Sequence, residues 1–151
     1  MFAFYIISKN NFEKFGVQPE MTLGYYDRTK FEGEINWHPV VKQYMYLVKL
    51  DDIKINGKPL NMCKSRPEGC IITIDTGSSF DMIPTFADTI LEQNNYPTYK
   101  VSKPCSSINE IGSLTFVISG IDYTYEPDEW LVQSDPHHHH KSLHQINSYE
   151  S

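Results

Sequence analysis

The sequence predicts a mostly β domain with one short helix. Short apolar segments recur between turn signals, two turn pairs (Asn56-Gly57 and Ser119-Gly120) join apolar runs, and only Pro84 to Gln93 carries apolar residues at helical spacing. The ten Tyr, eight Phe and two Trp lean the same way, because flat side chains suit a pleated surface. At 151 residues the chain fits one domain, long enough to bury a core without metal or disulfide.

The elements follow in chain order. Phe2 to Ile7 reads as a buried strand, and the polar stretch 9–20, with Gly16 and Pro19, as a loop. Met21 to Tyr26 is a short apolar run that ends in the turn residues Asp27 to Lys30. From Phe31 to Trp37 the residues Phe31, Gly33, Ile35 and Trp37 alternate with Glu32, Glu34 and Asn36, the pattern of a half-buried strand. Tyr44 to Ile55 is the longest extended stretch, with Tyr44, Tyr46, Val48 and Leu50 on one face. Asn56-Gly57 then signals a hairpin, since both residues tolerate positive φ. Ile71 to Ile74 is a β-branched run that leads straight into Asp75.

The helix has Pro84 near its start, Phe86, Ala87, Ile90 and Leu91 along one face, and Asn94-Asn95 as its stop. Leu114 to Ile118, Ile121 to Tyr125 and Trp130 to Val132 read as strands. Trp37 and Trp130 are expected in the core, His38 at the surface or on an edge strand, and Asp51, Asp52 and Asp81 in solvated or turn positions. Residues 1–133 form the folded domain, and the polar segment 134–151 is expected to be a flexible tail.

Composition excludes several classes. A net charge of −6 argues against nucleic-acid binding, which needs clustered Lys and Arg. No apolar run approaches the roughly 20 residues that span a bilayer. The start, Met1 to Ile7, has no basic segment before its apolar run, so it reads as structure and not as a targeting peptide. His137 to His140 lack fixed geometry on a low-complexity segment, so no metal or other cofactor is expected.

Three cysteines leave one without a partner if a disulfide forms. Cys63 and Cys70 flank a turn-rich Lys-Ser-Arg-Pro-Glu-Gly loop, where they either close a small ring or stay as two buried thiols. Six intervening residues and no second pair make a poor zinc site.

The segment Ile74-Asp75-Thr76-Gly77-Ser78-Ser79 carries the candidate chemistry. An apolar strand delivers a carboxylate into a tight turn. Gly77 lets the backbone approach and present an N–H, and Thr76 and the serines are small hydroxyl donors. A charge between two apolar runs is costly unless it is hydrogen-bonded or solvated in a cleft. The tripeptide alone is weak, because Asp-Thr-Gly also marks ordinary turns.

Its surroundings make it specific. From about Phe2 to Val132 the chain resembles, in order, the C-terminal lobe of pepsin-like aspartic proteases, a group that includes the plasmepsins. The resemblance rests on Phe2 to Ile6; on Met21 to Gly24 with Phe31 to Trp37; and on Tyr44 to Asp52. It continues through Cys63 and Cys70, Ile72 to Ser79, Pro104-Cys105, and Leu114 to Ile118 with Gly120, Tyr123 and Pro127. The family's paired glycines are Gly24-Tyr25 here, and its strand tryptophan is Tyr46.

The resemblance implies one lobe of the double-β-barrel fold, a Cys63–Cys70 ring, and an aspartic endopeptidase acting on polypeptide substrates. Asp75 would be one of two catalytic carboxylates, with Thr76, Gly77, Ser78 and Ser79 lining the substrate groove. The second Asp would come from an N-terminal lobe, and the family's closing strand, with a partner for Cys105, would also lie outside this sequence. An isolated carboxylate cannot serve as both acid and base, so the chain alone is expected to be inactive. The family and the disulfide imply a secretory, endolysosomal or vacuolar compartment. The competing readings are a non-catalytic peptide-binding module derived from such a lobe, and a homodimer in which each chain supplies one Asp.

Overall fold

A computed structural model of the chain describes residues 1–7, 9–42, 45–77, 84–96 and 105–130. The chain divides into two compact units, Met1–Trp37 and a second that begins at His38. Each contains antiparallel strand pairs, and in the second strands predominate, as the composition and turn signals predict.

In the first unit, β1 (Phe2–Tyr5) pairs antiparallel with β2 (Glu20–Leu23), Phe2 opposite Leu23 and Phe4 opposite Met21. These four apolar side chains share one exposed face, whereas Thr22 on the opposite face is buried. The segment read as a loop contains a helix, α1 (Lys9–Phe15). Gly16 ends it at φ 65° and donates its N–H to the Phe12 carbonyl at 2.9 Å, a left-handed C-terminal stop. Asp27 caps the 3-10 turn Arg28–Lys30 by accepting the Thr29 N–H at 2.9 Å and the Thr29 hydroxyl at 2.7 Å.

Phe31 to Trp37 is not a strand. Gly33 sits at φ 75°, which breaks the extended path, and its carbonyl accepts from Arg28 Nη1 at 3.2 Å. Trp37 is 74% exposed, so its expected core position is corrected.

The second unit contains β3 (Val40–Lys42), β4 (Leu47–Leu50), β5 (Asp52–Ile55), β6 (Lys58–Pro59), β7 (Cys70–Thr73), α2 (Thr85–Gln93), β8 (Leu114–Ile118), β9 (Ile121–Tyr125) and α3 (Pro127–Trp130). One sheet has the order β3-β4-β7 and the other β6-β5-β8-β9. The long extended stretch divides at Asp51, whose N–H leaves the first sheet for the Val117 carbonyl at 2.8 Å.

Both predicted hairpins form. Asn56 and Gly57 stand at φ 50° and 73°, and Ser119 and Gly120 at φ 52° and 75°, the paired positive φ of type I′ turns. The core gathers Val48 and Leu50 from β4, Ile53 from β5, Met62, and Ala87 and Leu91 from α2. Ala87 and Leu91 lie one helical turn apart, which turns a single stripe of α2 inward. Burying a leucine of this kind contributes about 1.5–3 kcal/mol. The predicted strand at Trp130 is replaced by the end of α3, while residues 131 and 132 and the tail from 134, with His137 to His140, lie outside the described residues.

Asp52 is not solvated. It is only 5% exposed, and its carboxylate accepts the N–H groups of Asn61 at 2.8 Å and Met62 at 3.1 Å. Those two bonds are what a buried charge requires. Asp51 fits the turn expectation, accepting the Gly120 N–H at 2.8 Å. Asp81 lies outside the described residues.

Candidate active site

β7 lies antiparallel on β4, from Leu50 opposite Cys70 to Leu47 opposite Thr73. One further main-chain bond, from the Ile74 N–H to the Tyr46 carbonyl at 3.2 Å, carries the pairing past the end of the ladder. The chain then turns away, and Asp75, Thr76 and Gly77 are all exposed. An apolar, β-branched strand thus ends in a carboxylate at the sheet's rim, because the next three residues offer no apolar side chain to continue it.

Within the turn Gly77 donates its N–H to Asp75 Oδ1 at 2.8 Å. The missing side chain matters here: a Cβ on Gly77 would stand 3.1 Å from the same oxygen. Ile74 (53% exposed) and Tyr46 (56%) present apolar surface beside the strand exit. The strand exit thus combines a carboxylate, a main-chain N–H aimed at it and flanking apolar surface. The structure therefore brings Asp75 and Gly77 together, with Thr76 between them; Ser78 and Ser79 lie outside the described residues.

Behind this turn, Cys63 and Cys70 form a disulfide with Cα atoms 5.2 Å apart, which decides between the ring and the free thiols. The ring is tied to α2, because the Arg66 guanidinium lies over the Phe86 ring at 4.1 Å. Arg66 also pairs with Glu68. A backbone hydrogen bond and then the nearby Arg66 charge hold the Glu68 carboxyl below its ordinary range. Among the described residues no cluster of three or more His, Cys, Asp or Glu is placed to hold a metal ion.

Two polar centres were not foreseen. His38 bonds to the Ser119 hydroxyl at 3.1 Å through Nδ1 and to the Tyr123 hydroxyl at 2.6 Å through Nε2, so it fastens the β8–β9 hairpin. Its partners lie more than eighty positions away in sequence, beyond the reach of local pattern. Asp52 is the second, and nothing local separates it from its neighbour Asp51.

A family model described as eukaryotic aspartyl protease matches residues 1–150. The chain belongs to the eukaryotic aspartyl protease family. Relatives of this aspartyl protease chain include cathepsin E-A of Xenopus laevis, 33% identical over 139 residues, which cover 88% of this chain and 32% of that protein. Cathepsin E of Oryctolagus cuniculus is 36% identical over 129 residues, 82% of this chain and 30% of that protein. Gastricsin of Cavia porcellus is 30% identical over 122 residues, 77% of this chain and 30% of that protein. The chain thus spans about a third of the length of the relatives it matches. Its mostly β, antiparallel architecture agrees with that of a pepsin-like aspartic protease lobe.

Proposed function

We propose that this chain is the C-terminal lobe region of an aspartic endopeptidase and supplies Asp75 as one of its two catalytic carboxylates. One observation carries the reading: Asp75 is exposed at a strand exit, with the Gly77 N–H on its carboxylate. Thr76, Gly77, Ser78 and Ser79 border the bound polypeptide, within a lobe covering residues 1–133. The sequence holds a single Asp-Thr-Gly, and the relatives are about three times longer, so the second carboxylate belongs to an N-terminal lobe.

The chemistry follows from the pair. Two facing carboxylates share one proton because both cannot ionise at close range. The ionised member takes a proton from a bound water, which attacks the peptide carbonyl. The protonated member gives its proton to the carbonyl oxygen. The C–N bond of the resulting diol then breaks as the proton taken from water passes to the leaving amine, and a diol hydroxyl returns its proton to the other carboxylate. Their apparent pKa values belong to the dyad and not to either residue. The Gly77 N–H, 2.8 Å from Oδ1, helps to orient the Asp75 carboxyl group. No cofactor enters this scheme. The disulfide supports a secretory, endolysosomal or vacuolar setting.

The test is co-expression with the N-terminal lobe of a cathepsin E relative, assayed on a peptide at acidic pH. Cleavage is expected for the pair and not for the chain alone, with Asp75→Asn lowering kcat/KM at least about a hundredfold. Cleavage undiminished by Asp75→Asn, or full activity of the chain alone, sinks the reading. Peptide binding without cleavage by the assembled pair would mark a binding module instead.

A further inference from the structure

Among the described residues, Asp52 is the only carboxylate that is buried, and the chemistry proposed above makes no use of it. It opens β5 and follows directly from β4 through Asp51. Its Oδ2 accepts the N–H of Asn61, which sits at φ 55°, and its Oδ1 the N–H of Met62, which is 2% exposed. Met62 is buried, so its N–H depends on the carboxylate for a partner, whereas Asn61 is exposed. The next residue, Cys63, is bonded to Cys70, the first residue of β7. At its other end β7 is held by the Ile74–Tyr46 main-chain bond, immediately before Asp75.

These links close a ring. It runs from the strand that carries Asp75, through the disulfide to Met62, across to Asp52, and back along Asp51 and β4 to Tyr46. The two N–H groups on the Asp52 carboxylate make the only side-chain hydrogen bonds in this ring; the same return of the chain is also held by the β5–β6 ladder and by the Leu60 N–H on the Ile53 carbonyl at 2.9 Å. We propose that Asp52 is a positioning residue for Asp75: its two bonds fix where the disulfide anchors β7, and so how the Asp75 turn leaves the sheet. This rests on Asp75 being the catalytic carboxylate.

A carboxylate accepts at both oxygens, whereas the amide of asparagine accepts at only one and turns a donor towards the other N–H. Asp52→Asn therefore removes one of the two bonds with almost no change in volume. Lys54→Met is the control. It removes the Lys54–Asp122 ion pair from the same strand without touching the ring.

The experiment uses the chain itself, 15N-labelled. One readout is the rate at which dithiothreitol reduces the Cys63–Cys70 bond. The other is the Gly77 amide shift as pH falls through the carboxylate range, which reports Asp75 through their 2.8 Å bond. Asp52→Asn is expected to speed reduction about tenfold, the order of a lost buried bond to a charge, and to cut the Gly77 titration amplitude by about half or more. Lys54→Met is expected to match the parent in both. An unchanged Gly77 titration in Asp52→Asn, with or without lower stability, overturns the proposal, as does an equal response from Lys54→Met. If Asp52→Asn does not fold, Asp52→Ser, whose hydroxyl can accept one of the two N–H groups, is read against the same outcomes. Neither readout needs peptide cleavage, so failure here is separable from failure of the protease reading.

Discussion

Gly77 donates its N–H to the Asp75 carboxylate across 2.8 Å, and a methyl group on Gly77 would stand 3.1 Å from that same oxygen. Gly77→Ala keeps the donor but pushes the carboxyl group back by a few tenths of an ångström. In the assembled two-lobe enzyme kcat/KM should fall about tenfold, since misplacement of reacting groups by an ångström costs about a hundredfold. The site is exposed, so melting of the chain should change by less than about 0.5 kcal/mol. Parallel kinetics and thermal melts check both halves of the expectation.

The β5–β6 turn depends on a second side chain. Asn56 holds φ 50° while its Oδ1 accepts the Ser113 N–H at 3.0 Å. Asn56→Ala loses the bond and a residue suited to the left-handed region, at a cost of about 1–2 kcal/mol. Gly112→Ala should be at least as damaging, because Gly112 stands at φ 88° and its Cβ would lie 2.2 Å from Asn56 Oδ1. Urea denaturation of the two variants measures the difference.

Loss of the Cys63–Cys70 bond, with its sequence separation of seven, should lower stability by about 2–3 kcal/mol on loop-closure grounds. Cys63→Ser with Cys70→Ser, compared by urea denaturation with the oxidised parent, gives the figure.

Asp27 contributes to the pH dependence of the first unit. The Thr29 N–H first, then the Thr29 hydroxyl, holds its carboxyl below the unfolded value of 3.8. A lowered folded pKa means that its contribution is complete above pH 3.8 and is lost as pH falls through the folded value. The Thr29 amide shift should titrate below pH 3.8 in the parent and stop doing so in Asp27→Asn. NMR titration of the two checks the sign.

Much of the second unit was legible because its signals are local. Asn56-Gly57 and Ser119-Gly120 must turn, Ala87 and Leu91 must share a helix face, and the run into Asp75 has nowhere to continue. The misreadings came where one interaction outranked a pattern. The alternation of Phe31 to Trp37 yields to Gly33 at positive φ and to Arg28 on its carbonyl. The helix Lys9–Phe15 hides in polar sequence, although Phe12 and Phe15 three apart with Gly16 behind them were a usable signal. Asp51 and Asp52 are identical residues side by side. Only the return of the chain at Asn61 and Met62 decides which is buried, and that return is a tertiary fact.

The bond between the Ile74 N–H and the Tyr46 carbonyl joins main-chain atoms: every residue carries the carbonyl, and every residue except proline the N–H. The pairing that brings Asp75 to the sheet's rim thus extends through main-chain atoms at positions 46 and 74. A substitution at either position other than proline at 74 leaves this main-chain bond possible while it alters the exposed surface beside the carboxylate, so anchorage and surroundings can change separately.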